Sequence, residues 1–240
     1  MGKSSIDFLQ KLERRARERQ EEFIKNIAHR LGRKPISPPS PHLFKGAPEY
    51  WSQREIPEDK RIEMFIENWD KVGGEAQLVS DLAEARMAVR EIIEKLEAQS
   101  IICHDVSTLH DLRLHENLEA EITFWDAANP QKMKEVAANA DIGLIMADYA
   151  VAHTGSVVTI SSREKGRIVS LLPRTIVILV PAQVIKTKLG DVMQEIGKRS
   201  IKAMPAGIHF ISGPSRSADI ENDLTIGVHG PGMVYAIIVK

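Results

Sequence analysis

Apolar residues recur at three- and four-residue steps over positions 4–31, where Ile6, Leu9 and Leu12 and then Phe23, Ile24, Ile27 and Leu31 mark the two ends of one predicted helix. Between those ends the stretch Glu13–Glu22 is polar all round, so it has little to bury and should project into solvent or bridge to another body. Gly32 is a suitable stop. Prolines at 35, 38, 39, 41 and 48 then favour an extended, semi-rigid linker. The pattern predicts an N-terminal helical arm with its linker over 1–46, followed by a body over 47–240.

In the body the pattern alternates. Pro57 opens a helix carrying Ile62, Phe65, Ile66 and Trp69, and Gly73-Gly74 closes it. Leu78-Val79 reads as a strand, and Asp81 caps a second helix with Leu82, Val89, Ile92, Ile93 and Leu96 on one face. Strands follow at 100–103 and 121–125, a helix at about 130–140, and strands near 141–147, 156–161 and 175–180. A helix at 186–199 and strands at 208–212, 224–228 and 234–239 complete the chain. Strands separated by helices imply βαβ units. The close spacing within 141–161 and 224–239 adds antiparallel pairing. The expected fold is α/β, an open, mostly parallel mixed sheet with helices on both faces.

Composition narrows the functional classes. A formal net charge of −1 offers no global field for nucleic acid or an anionic membrane. No apolar run is long enough to span a bilayer, and the charged first helix is no signal peptide, so a cytoplasmic protein is expected. Cys103 is the single cysteine, which rules out an internal disulfide and a four-thiolate cluster. It sits in an apolar run and reads as a small core residue. No metal site is expected either. His104, His110 and His115 are six and five residues apart, so no two share a helical face as a zinc-binding pair does, and surface or capping positions are expected for them. A phosphate-binding Walker loop, a dinucleotide Gly-x-Gly-x-x-Gly and a Gly-x-Ser-x-Gly elbow are all absent.

Open sheets bind ligands at the carboxyl ends of their strands. Three turns offer polar groups for such a place. The first runs from Asp148 to His153, Thr154, Gly155 and Ser156. The second, Gly213-Pro-Ser215-Arg216-Ser-Ala-Asp219, resembles an anion-binding helix start, with Arg216 as the fixed charge and Ser215 beside it. The third places His229 beside Gly230. If all three follow strands of one sheet they should converge at its carboxyl edge, with His153 and His229 as weak candidates for proton transfer. The charged turn Ser161–Arg167 could close over a pocket, although a solvated loop is its ordinary reading.

Several of these segments carry a family resemblance. Ala147-Asp148-Tyr149 with Thr154-Gly155-Ser156-Val-Val, Gly166-Arg-Ile-Val-Ser-Leu-Leu-Pro173, Gly213-Pro-Ser-Arg-Ser-Ala-Asp-Ile-Glu221 and Gly227-Val-His-Gly-Pro231 together resemble the LUD (lactate utilization) domain over about residues 60–240. The resemblance implies a fold like the sugar-phosphate isomerase and CoA-transferase group. It also implies a non-redox component of bacterial L-lactate utilization that acts with iron–sulfur partner proteins in NAD-independent conversion of L-lactate to pyruvate. No cofactor is then expected in this chain and no activity from it alone; the clusters belong to the partners. A small anionic ligand and self-association are compatible with this role. Two alternatives stand beside it: an acyl-, CoA- or nucleotide-handling enzyme, and a scaffold for the cluster-bearing partners. Where CoA transferases of similar fold use a glutamate nucleophile, this chain carries His153, which counts against that mechanism.

Overall fold

A computed structural model describes residues 3–33, 56–116, 118–200, 203–218 and 224–240. The chain divides into two units, Met1–Arg54 and Glu55–Lys240. The expected boundary at 46/47 lies outside the described residues. In the first unit a helix, α1, runs over Lys3–Arg30.

The second unit is built on a six-stranded sheet. Its elements in chain order are α2 (Glu58–Lys71), β1 (Glu75–Val79), α3 (Leu82–Lys95), β2 (Ser100–Cys103), α4 (Ser107–Asp111), β3 (Glu121–Phe124), α5 (Pro130–Asn139), β4 (Ile142–Met146), β5 (Tyr149–Val151), β6 (Ser156–Ile160), α6 (Ile168–Leu171), β7 (Thr175–Pro181), β8 (Ile185–Lys186), α7 (Leu189–Gly197), β9 (Ile208–Ile211), β10 (Arg216–Ala218), β11 (Leu224–Ile226) and β12 (Met233–Val239). The main sheet has the order β1-β12-β7-β4-β2-β3, and all of its pairs are parallel. A second sheet, β8-β5-β6-β9, and a hairpin, β10-β11, stand apart from it.

This arrangement corrects one expectation. Antiparallel pairing occurs, but it is confined to β5-β6, β6-β9 and β10-β11 among the described residues. β12 is not the return strand of a hairpin with β11. It inserts in parallel between β1 and β7, with Tyr235 beside both Glu75 and Val177. A parallel strand buried on both faces needs a continuous apolar run, and Met-Val-Tyr-Ala-Ile-Ile-Val supplies one.

Period-two alternation divides the core between the two faces. Ile176, Ile178 and Val180 of β7 and Val234, Ala236 and Ile238 of β12 pack on one side with Phe65 and Trp69 of α2. Val177, Leu179, Tyr235 and Ile237 pack on the other with Val89 and Ile93 of α3. Cys103 lies in this second layer, and burial pushes its thiol pKa up to about 12, which fits the small-core-residue reading.

α2 determines much of what surrounds the site candidates. Ile62, Phe65 and Trp69 are its buried stripe, and the Phe65 and Trp69 rings stack at 5.6 Å between centroids. The Trp69 indole donates to the Glu75 carbonyl at 3.1 Å, tying the helix to the first strand. Gly73, at φ +85°, reverses the chain, and the Gly74 amide returns to the Trp69 carbonyl at 3.0 Å.

Gly155 lies against the same helix. It has φ +54°, and a methyl group there would overlap the backbone of Asn68 and Trp69. Gly155→Ala should therefore destabilise the protein by about 1–3 kcal/mol through overpacking. Denaturant unfolding of the variant measures this, and an unchanged midpoint would show that α2 gives way freely.

Candidate functional site

The strand register decides which sequence candidates meet. β4 ends at Met146, so Ala147 and Asp148 emerge at the carboxyl edge of the main sheet. Residues 229–232 lead into the start of β12 at the opposite, amino edge, where the Gly232 amide donates to the Arg174 carbonyl just ahead of β7. The Ser215 amide donates to the Pro231 carbonyl at 2.8 Å, so the 213–216 turn belongs to the amino edge too. Convergence of all three turns on one carboxyl edge is thus not what the chain does. The strands before them lie in three different sheets.

At the amino edge the turns surround the C-terminal end of α2. The Asn68 side chain donates to the Ala152 and His153 carbonyls at 2.9 and 3.3 Å. Ser156 Oγ lies 2.8 Å from Thr154 Oγ1 and 2.7 Å from Ser212 Oγ, linking the first turn to the second. A side chain at Gly213 would overlap the Val72 carbonyl, and a methyl group at Gly230 would sit 3.4 Å from Ser215 Cβ. Arg216 donates to the Val72 carbonyl, where α2 ends. Among the described residues no helix begins after Arg216. Residues 216–218 form β10, whose ladder with β11 takes up the backbone groups that a helix start would have left free for an anion. Asp219 lies outside the described residues. His153 and His229 are both exposed.

A different set of side chains occupies the carboxyl edge. The turn Ser161–Arg167 forms a strap across the ends of β2, β3 and β4. The Asp105 amide donates to the Glu164 carbonyl at 2.9 Å, and the Trp125 indole donates to the Arg163 carbonyl at 2.9 Å. Gly166 fits against the Trp125 ring, with no room for a side chain. Asp148 anchors the strap through an ion pair with Lys165 at 2.8 Å, while its other oxygen accepts the Ile160 amide at 2.7 Å. With 15% and 24% side-chain exposure this pair is far less solvated than the ion pairs on the helices.

Beneath the strap lies His104. Surface or capping positions are expected for the three histidines, yet this ring is only 1% exposed. Its Nδ1 accepts the Met146 amide at 3.3 Å, which leaves the proton on Nε2. Burial, reinforced by the Lys165 charge, lowers its pKa to about 3, against a weaker opposing backbone hydrogen bond with Gly166. His104 is therefore a neutral ring holding β2, β4 and the strap together. His110 instead lies at the surface, 2.8 Å from Asp105 and stacked on Phe124.

Beside the strap, Arg167 and His209 leave cationic and imidazole groups without partners among the described residues. His209 Nε2 is buried and has no hydrogen-bond partner there. A methyl group on Gly207 would lie 2.9 Å from that nitrogen and 3.0 Å from Arg167 Cδ, so the two side chains meet over this glycine. Burial first and the Arg167 charge second lower the His209 pKa. A guanidinium and an imidazole N–H are groups that can together hold an oxyanion. Neither His209 nor Lys165 stands out from sequence. The strap does place Arg163, Lys165 and Arg167 at alternate positions, but only the β6-β9 pairing brings His209 to it, with His209 opposite Thr159.

A parallel sheet with helices on both faces defines an open-sheet α/β protein. Residues 62–239 match the family model described as the LUD domain. "Lactate utilization protein C" of Halalkalibacterium halodurans is 30% identical over 228 residues, covering 93% of this chain and 98% of that protein. The Escherichia coli K12 protein YkgG, described as uncharacterized, is also 30% identical over 228 residues, covering 91% and 97%. A crystal structure of a DUF162 family protein from Deinococcus radiodurans shares the fold, with a TM-score of 0.58 at 16% identity over 78% of this chain and 100% of that one. The chain belongs to the LUD domain family.

Two outcomes follow from this geometry. Arg216→Ala should lower stability by about 1 kcal/mol, because a cation is lost from a helix C-terminus; denaturant unfolding would show no loss if the contact with Val72 contributes nothing. His104 should make stability depend on acid. An unfolded histidine takes its proton near 6.5, whereas His104 resists until about 3, so the unfolded state binds the extra proton between those values. This contribution is complete above 6.5 and declines as the pH falls to about 3, by up to about 1.4 kcal/mol per pH unit. Stability measured against pH should fall less steeply in His104→Asn, and an equal slope in both proteins would remove the assignment.

Proposed function

We propose that this chain is the non-redox component of a cytoplasmic L-lactate utilization system, working with iron–sulfur partner proteins in the NAD-independent oxidation of L-lactate to pyruvate. The observation carrying this reading is the likeness to lactate utilization protein C over 93% of the chain. Conversion of L-lactate to pyruvate releases two electrons and two protons. One buried cysteine cannot assemble a four-thiolate cluster, so the partners take the electrons. This chain contributes the oxyanion receptor: Arg167 holds the carboxylate of the acid and His209 Nε2 orients it, beside the strap anchored by Lys165 and Asp148. No helix among the described residues is long and apolar enough to cross a membrane.

The acyl-transfer alternative draws no support from the first turn. His153 is exposed, and it is the His153 carbonyl, not the ring, that Asn68 holds.

A strain lacking the gene should grow on glucose and fail on L-lactate. The intact gene should restore growth on lactate, whereas an Arg167→Ala gene expressed at the same level should restore it poorly. Normal growth of the deletion strain on L-lactate removes the proposed role, while full rescue by Arg167→Ala removes only the receptor.

A further inference from the structure

α1 spans 28 residues, about 42 Å, and its two sides differ. Phe8, Leu12, Phe23 and Ile27 are 61%, 47%, 67% and 43% exposed, and at helical spacing they fall within an arc of about 100°. The helix's own ion pairs, Arg17–Glu13, Arg14–Glu18 and Lys25–Glu21, join residues of the other side. Ala28, which is buried, also lies away from the stripe. Among the described residues, Arg15, Arg19 and Glu22, in or beside the stripe, make no ion pair. One side is thus electrostatically self-contained, and the other presents apolar side chains and unspent charge.

We propose that this stripe pairs, antiparallel, with the same stripe of a second copy of the chain. The stripe reads nearly the same in both directions. With Leu12 set against Phe23 of the second copy, Ala16 falls against Arg19 and Arg15 flanks Glu22, and the two-fold axis repeats each contact. Four large apolar side chains from each helix become covered or flanked. The small Ala16 leaves space for the Arg19 stem, whose head reaches water. Parallel pairing would instead bring Arg19 against Arg19 at the seam, and like charges there oppose association. The central polar residues specify the direction and register, and the apolar ends supply the burial.

The full-length chain tests this directly. Sedimentation equilibrium should give the dimer mass for the natural chain and half that mass for Leu12→Glu/Phe23→Glu, with the thermal unfolding of the body unchanged. Orientation is read by oxidation. A mixture of Leu12→Cys and Phe23→Cys chains should form the mixed disulfide, while either variant alone should link poorly; Cys103 is buried and does not compete. A monomeric natural chain overturns the proposal, including the case in which α1 engages a different protein. It is overturned equally by a dimer that survives the glutamates, or by Leu12→Cys linking to itself as readily as to Phe23→Cys.

Discussion

Parallel strands cannot be joined by tight hairpins, and this constraint shapes the rest of the body. Each strand of the main sheet must be joined to the next by a crossover that returns the chain from the carboxyl edge to the amino edge. Every crossover must also cover one apolar face, because β7, β4 and β12 are buried on both sides. α3 answers this with one helix between β1 and β2. The crossover from β4 to β7 is longer and contains β5, β6, the strap and α6. The second sheet is therefore assembled from two connections, with β5 and β6 from the one between β4 and β7 and β8 and β9 from the one between β7 and β12, while the strap belongs to the first.

A strap over that edge must satisfy the polar groups it covers. His104 does so without adding charge. Its ring accepts the Met146 amide on one side and bonds to the Gly166 backbone on the other, and it remains neutral because the site is dry and Lys165 is close. Asp148 pairs with Lys165, the least exposed charge of the strap, and uses its second oxygen for a backbone amide. A half-buried pair with both partners satisfied is tolerable where a lone charge is not. Arg167 and His209 lie just outside this closed arrangement, and His209 Nε2 has no partner among the described residues.

The amino edge uses the same residue types for another purpose. Thr154, Ser156 and Ser212 form a hydroxyl chain, Gly155 and Gly213 admit the backbone at the end of α2, and Arg216 meets the Val72 carbonyl there. Hydroxyls, glycines and an arginine near strand ends look alike in a sequence whether they await a ligand or clasp a helix. The two cases differ only in what lies opposite them.

Periodicity and punctuation are enough to place most of the elements. The stripe of Ile62, Phe65 and Trp69, the Asp81 cap that accepts the Glu84 amide, the glycines after α2 and the buried runs of β4, β7 and β12 are local features, set by side-chain spacing and backbone geometry. Motif order likewise points to the family. Pairing is not local. An apolar run such as Met233–Val239 satisfies a hairpin or a central parallel strand equally well, and only the competition of all strands for partners places it between β1 and β7. The burial of His104 and the meeting of Arg167 with His209 depend on that same long-range choice. The sequence alone determined most of the segments that would be strand, helix and turn; the tertiary structure decided which edge each turn occupies, because an edge is a property of the whole sheet.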